Sequence, residues 1–205
     1  MITLHYNQLA LHIGNPKELS SFSGNQIYEG IPSDATPASI LSLFSNPASL
    51  LRTENSSDLL GTLKVLFLPL QAAGGVVVDP ANNLLFIHRF GKWDLPKGKM
   101  ENDEEPLETA VREIQEETGV CDLKNQGKLS TSWHIYPLGD SWVLKETHWF
   151  LFSSGQHNTL KPQTEESIDQ AKWFAVADLT EPLANTYENI RMVIQQALVR
   201  LASFH

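Results

Sequence analysis

One segment, residues 98–120, limits what this chain can fold into more than any other part. Pro106 suits the first turn of a helix, where its missing N–H is not needed, and Gly119 suits the position just past a helix end, where φ is positive. The segment therefore predicts a helix over residues 106–118. At about 100° per residue, part of its side chains fall on one stripe that is expected to face a core. The residues of this stripe are Leu107, Ala110, Val111, Ile114 and Thr118.

The same helix predicts a cluster of carboxylates. Glu113, Glu116 and Glu117 stand at positions i, i+3 and i+4, so they share one flank of the helix. These groups repel one another, and partial burial would raise their pKa values. A divalent cation relieves the repulsion, and hard oxygen ligands suit Mg²⁺ or Mn²⁺. Arg112 is placed to hold Glu116, whereas Glu104, in the loop before the helix, could complete the metal shell or brace the loop.

The segment also fits a fixed pattern, G-x5-E-x7-R-E-U-x-E-E-x-G-U, in which U is a bulky apolar residue. Every specified position is filled. The residues at those positions are Gly98, Glu104, Arg112, Glu113, Ile114, Glu116, Glu117, Gly119 and Val120. The pattern resembles the signature box of the Nudix hydrolases, which cleave a nucleoside diphosphate linked to another group X. With the flanking strands, the resemblance covers residues 69–180.

The resemblance implies an α/β fold and a metal centre. The fold would be the Nudix α/β/α sandwich, in which a mixed β-sheet lies between the box helix and a C-terminal helix. The metal, Mg²⁺ or Mn²⁺, would be held at Gly98, Glu113, Glu116 and Glu117, and Arg112 would belong to the catalytic set.

Nudix enzymes often bring a further glutamate from the loop before the last strand. In this chain that loop contains Glu165 and Glu166, which are therefore candidates for a metal ligand or a general base. An exposed acidic loop without a catalytic role is the other interpretation. The candidates for the base are Glu116, Glu117, Glu165 and Glu166. Because one carboxylate cannot easily ligate a metal and accept a proton at the same moment, Glu165 and Glu166 are the pair to test.

Two further segments bear on the substrate. Trp93–Lys99 resembles the run W-x-L-P-K-G-K, and Lys145–Leu151 resembles the strand K-x-T-x-W/Y-F, of the Nudix branch that includes diadenosine and diphosphoinositol polyphosphate hydrolases. A lysine is a point charge that suits a phosphate chain, although these lysines could also balance local acids. Tyr136 lies at the distance from the box that marks diadenosine polyphosphate hydrolases. The candidate substrate contacts are Arg89, Trp93, Lys97, Lys99, Tyr136 and Lys145, with packing against the loop as the alternative for Trp93.

Composition narrows the class of protein. Hydrophobic residues make up 41% of the 205 residues, which is enough for a packed core. The formal net charge of −9 disfavours general nucleic-acid binding, which needs a basic surface. The single cysteine, Cys121, indicates a reducing compartment. No signal peptide is evident, and the apolar run at Val65–Leu70 is too short to span a bilayer, so we expect a cytoplasmic protein.

The box does not explain the first 68 residues, which we predict to be a small α/β extension before a Nudix domain at residues 69–205. The patterns predict a strand over Ile2–Ile13, a helix that begins at Pro37 and is closed by Asn46-Pro47, and a helical turn near Ser56–Leu60. Strands are expected at residues 63–70, 72–78, 84–89, 128–136, 142–152 and 170–176. Asn185 and Glu188 predict a capping box that opens the C-terminal helix.

Together these features favour a metal-dependent pyrophosphohydrolase that cleaves a phosphoanhydride in a small molecule. Dinucleoside or other polyphosphates are favoured over ADP-ribose and nucleotide sugars on the resemblance alone. A second hypothesis is a Nudix-fold nucleotide sensor or interaction module without turnover. Such relatives usually lose box carboxylates, whereas this chain keeps them, but the extension leaves this hypothesis open because it could form a homodimer, cover the cleft or bind a partner.

Overall fold

The computed structural model describes residues 1–22, 26–31, 34–44, 48–155 and 159–203. The chain forms two compact units. The first unit comprises Met1–Leu70 and Ser132–Glu146, and the second comprises Gln71–Thr131 and Thr147–His205. The sequence-based boundary at residue 68 instead leaves residues 132–146 with the Nudix domain, and that boundary stays a prediction.

The strands of the first unit form a sheet with one apolar face and one polar face. Its elements are β1 (Ile2–Tyr6), β2 (Leu9–Gly14), β3 (Gln26–Glu29), α1 (Pro37–Ser42), β4 (Ala48–Arg52) and α2 (Ser56–Leu66). β1 and β2 form an antiparallel hairpin, β2 pairs with β4 and β4 with β3 in parallel, and β1 pairs in parallel with residues 133–135. Because side chains alternate along a strand, Leu4, Leu11 and Ile13 share the face on which α1 and α2 pack. Polar side chains occupy the other face, where His5 pairs in register with His134.

Several predictions for this part of the chain need correction. The single strand expected at Ile2–Ile13 is a hairpin, because Asn7 adopts a φ of +55° and reverses the chain. The helical turn near Ser56–Leu60 is the start of α2, which continues to Leu66, so the strand expected from residue 63 is wrong in its first half. The helix after Thr36 is confirmed, with Thr36 accepting from the Ser39 N–H, whereas Asn46-Pro47 lies outside the described residues.

The second unit contains the box. Its elements are β5 (Leu68–Val78), β6 (Asn83–Arg89), β7 (Lys92–Asp94), β8 (Lys97–Lys99), α3 (Pro106–Thr118), β9 (Leu123–Leu138), β10 (Ser141–Ser154), a 3₁₀ turn (Thr164–Glu166), β11 (Ile168–Ala175), α4 (Thr180–Ala184) and α5 (Glu188–Ala202). The strand order is β11-β6-β5-β10-β9, with β7 paired to β6 and β8 to β5. The first residues of β5, the end of β9 and the start of β10 belong to the first unit.

Two hydrophobic cores lie on opposite faces of this sheet. In β5, Val76 and Val78 pack in the core that contains the buried side of α5, whereas Ala73 and Val77 pack in the core that contains Ala110 and Ile114 of α3. The sheet therefore separates α3 from α5. The predicted α/β/α sandwich with a mixed sheet is confirmed.

Two details of the second unit differ from the sequence prediction. β5 is one continuous strand rather than two strands separated at Gln71. The predicted capping box of α5 is wrong, since the N-cap is Tyr187 and the Asn185 amide instead donates to the Gly91 carbonyl at 2.8 Å. Within the described ranges, none of the helices is both long and apolar enough to cross a membrane.

Candidate active site

The predicted box helix is α3, and its ends are fixed as the sequence requires. Pro106 occupies the first turn, and Gly119 follows the last turn with a φ of +77° while its N–H donates to the Gln115 carbonyl at 2.8 Å. Ala110 and Ile114 are fully buried against the sheet. This packing fixes the rotation of the helix, so its glutamates differ in their environments.

Glu117 is the most buried of the three box glutamates on α3, with 1% of its surface exposed. Its Oε2 accepts the backbone N–H of Lys97 at 2.8 Å, and its Oε1 lies 3.6 Å from Arg89 Nη1. Burial raises the pKa of Glu117 to about 7, although the nearby charges of Lys97 and Arg89 oppose the shift. Two cations and a backbone N–H therefore stabilise the ionised form of this carboxylate, whereas burial favours its neutral form.

Arg112 connects the loop before α3 to the helix. Its Nε and Nη2 donate to the two oxygens of Glu104 at 2.7 and 2.9 Å. Its Nη1 donates to Glu113 at 2.8 Å and to Glu116 at 3.0 Å. The predicted contact between Arg112 and Glu116 is confirmed, and the bonds from these carboxylates raise the pKa of Arg112 further.

Glu104 braces the loop, which is one of the two roles that the sequence left open. Besides binding Arg112, it accepts the Glu101 N–H at 3.0 Å and the Thr109 hydroxyl at 2.8 Å. Arg112 is the largest cause of the fall in the pKa of Glu104 to about 2. A carboxylate bonded this fully by the protein is a positioning group rather than an open metal ligand in this structure.

Gly98 is required because Glu113 occupies the space where a side chain would stand. A Cβ at position 98 would lie 2.0 Å from the carboxyl carbon of Glu113. The side chain of Glu113 is 13% exposed, and burial is the main cause that raises its pKa. Gly98 therefore leaves room for the carboxylate of Glu113, and its part in a metal site stays a prediction.

The acidic loop before β11 contributes one of its two glutamates to this cluster. Glu166 Oε2 lies 3.7 Å from Arg89 Nη2, and the charge of Glu166 adds to the rise in the pKa of Glu113. Glu165 is exposed and accepts a bond from the neighbouring Thr164 hydroxyl at 3.4 Å. The structure thus separates two candidates that the sequence could not distinguish.

The lysines of the loop between β7 and α3 face different partners. Lys97 Nζ lies 2.6 Å from Asp94 Oδ2, and both side chains are nearly buried. Sequence reasoning missed Asp94, although its position three residues before a lysine was a usable signal. The Lys99 side chain is exposed, while its carbonyl accepts from Arg112 Nη2 at 3.1 Å.

Of the other predicted substrate contacts, Trp93 lies in a hydrophobic core, and Tyr136 and Lys145 lie in the first unit. Trp93 is 5% exposed and packs edge-on against Phe174 in the core next to α5, so packing is its role here and stacking on a substrate base is not supported. Burial raises the pKa of Tyr136, whose ring lies 5.7 Å from that of His134.

The donor set fits a hard divalent cation by its chemistry. Glu113, Glu116 and Glu117 offer only carboxylate oxygens, and burial disfavours the charged forms of Glu113 and Glu117. Within the part of the chain that the structure describes, no three acidic, histidine or cysteine side chains are arranged to hold a metal as they stand. Arg112 pairs with two of the three carboxylates here.

Sequence relatives point to one family. A profile described as the NUDIX domain matches residues 68–196. The chain is 36% identical over 74 residues to the 8-oxo-dGTP diphosphatase of Proteus vulgaris, a match that covers 33% of this chain and 65% of that protein. It is 26% identical over 147 residues to the RNA pyrophosphohydrolase of Roseobacter denitrificans, which covers 63% of this chain and 92% of that protein.

Solved structures agree with the fold. A C. elegans Ap4A hydrolase binary complex superposes with a TM-score of 0.54 at 18% identity, covering 65% of this chain and 98% of that chain. The NUDIX domain of Shewanella oneidensis NrtR, complexed with ADP ribose, gives a TM-score of 0.50 at 20% identity, covering 72% of this chain and 99% of that chain. At these identities the superpositions show the fold alone.

Proposed function

The chain belongs to the Nudix family, whose members hydrolyse phosphoanhydride bonds, and we propose that this member is a metal-dependent pyrophosphohydrolase of nucleoside polyphosphates. One observation carries the proposal. The nearly buried carboxylate of Glu117 lies beside Arg89 and is bonded by the Lys97 N–H, next to the carboxylates of Glu113 and Glu166. A partly buried acidic cluster that also contains a cation suits a site that binds both a metal and an anion.

The metal would be held by Glu113, Glu116 and Glu117. When bound, Mg²⁺ or Mn²⁺ would polarise a phosphoryl oxygen and lower the pKa of a water. The chain itself would keep these ligands in place: Gly98 leaves room for Glu113, and the Lys97 N–H fixes one oxygen of Glu117. Binding would also relieve the repulsion among carboxylates whose charged forms burial disfavours.

Arg89 is the residue that we assign to the substrate phosphates. Its terminal nitrogens lie 3.6 and 3.7 Å from the carboxylates of Glu117 and Glu166, beyond normal hydrogen-bond length. Its Nε is buried without a hydrogen-bond partner among the described residues. The guanidinium can therefore donate hydrogen bonds to a phosphate oxygen without first breaking a strong bond, and it would stabilise negative charge on the non-reacting phosphates.

Glu166 is the residue that we propose as the general base. It is 56% exposed, so it can reach a water, and it faces Arg89 and Glu113 without being part of α3. This arrangement separates proton transfer from metal ligation, which one carboxylate cannot easily do at once. Positioning and charge stabilisation would supply most of the rate acceleration, as in phosphoryl transfer generally.

The substrate class rests on resemblance. The runs Trp93–Lys99 and Lys145–Leu151 favour dinucleoside or other polyphosphates, and relatives are named for 8-oxo-dGTP, RNA and Ap4A. ADP-ribose and nucleotide sugars are the alternative substrates within the family. The net charge of −9 disfavours a long nucleic acid as the substrate.

The test is turnover on a panel of diadenosine tetraphosphate, nucleoside triphosphates, ADP-ribose and a diphosphoinositol phosphate, each with Mg²⁺, Mn²⁺ or chelator. We expect metal-dependent hydrolysis that Glu117→Gln lowers by about a thousandfold, equivalent to ~4 kcal/mol of activation free energy. Glu165→Gln, which changes an exposed glutamate of the same region, is the control and should turn over normally. Near-normal turnover by Glu117→Gln at saturating Mg²⁺ would refute the assignment, and tight binding without turnover by the wild type would support a sensor.

A further inference from the structure

The turn between β6 and β7 has an unusual residue at its tip. Arg89 pairs with Lys92, so only Phe90 and Gly91 form the turn. Both have positive φ, +50° for Phe90 and +74° for Gly91, as the tight hairpin turn of type I′ requires. Asn-Gly or Asp-Gly is preferred in such turns, because a bulky side chain is strained at positive φ.

Phe90 stands out against the rest of the chain in two ways. Within the described residues, four other non-glycine positions have positive φ, and all of them carry short polar side chains. These positions are Asn7, Asn82, Asp103 and Ser167. Phe90 is also 71% exposed, so core packing does not compensate for its strained backbone. Strain that packing does not explain is found preferentially at functional sites.

The phenyl ring lies beside the guanidinium assigned to the phosphates. The Arg89 guanidinium carbon is 5.1 Å from the centre of the Phe90 ring. The two terminal nitrogens of the same guanidinium lie 3.6 Å from Glu117 and 3.7 Å from Glu166. An exposed aromatic ring and the carboxylates of the site therefore share Arg89 as a neighbour.

Residues just before α5 contact the turn and the strand that follows it. The Asn185 amide donates to the Gly91 carbonyl at 2.8 Å, and the Asn185 carbonyl accepts the Trp93 N–H at 2.9 Å. Lys92 Nζ lies 5.3 Å from the centre of the Tyr187 ring. The segment before α5 thus fixes the hairpin that presents Phe90.

We propose that Phe90 is the platform on which the base of a nucleotide substrate stacks while its phosphates meet Arg89 and the carboxylate cluster. The inference rests on the proposed function for the position of the phosphates. It sharpens the substrate class, because an aromatic platform recognises a nucleoside polyphosphate and gives nothing to a base-free diphosphoinositol phosphate. An exposed ring is suited to this, since every base has a face that stacks on an aromatic side chain.

The experiment measures equilibrium binding of ADP and of inorganic pyrophosphate, in Mg²⁺, by calorimetry. Phe90→Asn removes the ring while supplying a residue that tolerates positive φ. We expect ADP to bind about tenfold more weakly, the loss of one stacked base, while pyrophosphate affinity changes by less than roughly twofold. Phe90→Trp should keep the ADP affinity, and Phe90→Asn should be at least as resistant to heat as the wild type, because the strain is relieved.

Three results would overturn the inference. They are unchanged ADP affinity in Phe90→Asn, equal losses for ADP and pyrophosphate, and a wild type that binds ADP no more tightly than pyrophosphate. Turnover of Glu117→Gln decides the hydrolase assignment separately. A protein without turnover whose ADP affinity still depends on Phe90 would keep the platform and reject the hydrolase, whereas metal-dependent turnover with Phe90-independent ADP binding would do the reverse.

Discussion

Each unit contains a buried titratable side chain, and the two side chains differ in the charges that surround them. Glu117, in the second unit, is 1% exposed and lies beside Arg89 and Lys97. His5, in the first unit, is 3% exposed, and the charges that shift its pKa come from two more histidines, His134 and His12. Burial of a titratable group therefore does not by itself indicate a functional site. A buried group with opposite charges beside it does, because those charges stabilise its ionised form.

The two groups respond to acid with opposite signs. Burial, and then the charges of His134 and His12, lower the pKa of His5 from 6.5 to about 4, so the unfolded chain binds more protons and stability is lost as pH falls between these values. Burial raises the pKa of Glu117 from 4.5 to about 7, so without metal the folded chain binds more protons and stability is lost as pH rises through this range.

The sharpest contrast between the units comes from changing a glycine to alanine in each, at Gly98 in the second unit and at Gly61 in the first. In Gly98→Ala, the new methyl group would stand 2.0 Å from the carboxyl carbon of Glu113, so the carboxylate must move out of the site. We expect kcat to fall about a thousandfold, or ~4 kcal/mol, with weaker Mn²⁺ binding. Steady-state kinetics and metal titration measure both effects. A variant that binds Mn²⁺ and turns over as the wild type does would remove Glu113 from the metal site.

The acid sensitivity of the first unit is the next largest effect. His5→Leu replaces the histidine with a side chain that stays neutral, so it should abolish a loss on the order of 3 kcal/mol that the wild type suffers as pH falls from about 7 to 4. Hydrogen exchange of the amides of β1 and β2, corrected for the intrinsic pH dependence of exchange, measures this locally. Amides of α3 serve as the internal reference because their own pH dependence, to which Glu117 contributes, should be the same in wild type and variant. Equal acid sensitivity of β1 in the two proteins would contradict the assignment.

Within the second unit, substitution of the two loop glutamates should have different effects on kcat. Glu166→Gln should lower kcat by about a hundredfold, since general acid–base catalysis typically contributes at least this much. Glu165→Gln is the matched control with the same chemistry on the neighbouring exposed residue. Equal rates for the two variants, measured by steady-state kinetics, would mean that the base lies on α3.

The smallest effect is expected in α2 of the first unit. Nothing lies within 4 Å of a Cβ built on Gly61, which stands inside the helix, so Gly61→Ala should stabilise the protein by about 0.5–1 kcal/mol. Urea denaturation measures the gain, and kcat should not change. Gly61→Ala thereby controls for Gly98→Ala, since the same chemical change stabilises one unit and disables the other.

The sequence correctly predicted helix ends that depend on residues close together in the chain. Pro106 and Gly119 predicted α3 to the residue, and Thr36-Pro37 predicted the start of α1. Predictions failed where a longer-range contact decided the outcome. Asn185 reads locally as a helix cap, but its amide binds the Gly91 carbonyl, which is distant in sequence. The apolar run from residue 63 reads as a strand, but Leu63 packs as part of α2 in the first core.

The sequence by itself determined the family, the box helix and the set of carboxylates on its flank, because helical spacing and capping act within a few residues. Only the tertiary structure decided which groups each residue contacts. It placed Lys97 against Asp94, brought Glu166 rather than Glu165 towards Arg89, packed Trp93 in the core and exposed Phe90 at a strained turn. These outcomes depend on which strands and loops meet in space, and burial and charge at a position depend on all of those neighbours rather than on the residues beside it in the chain.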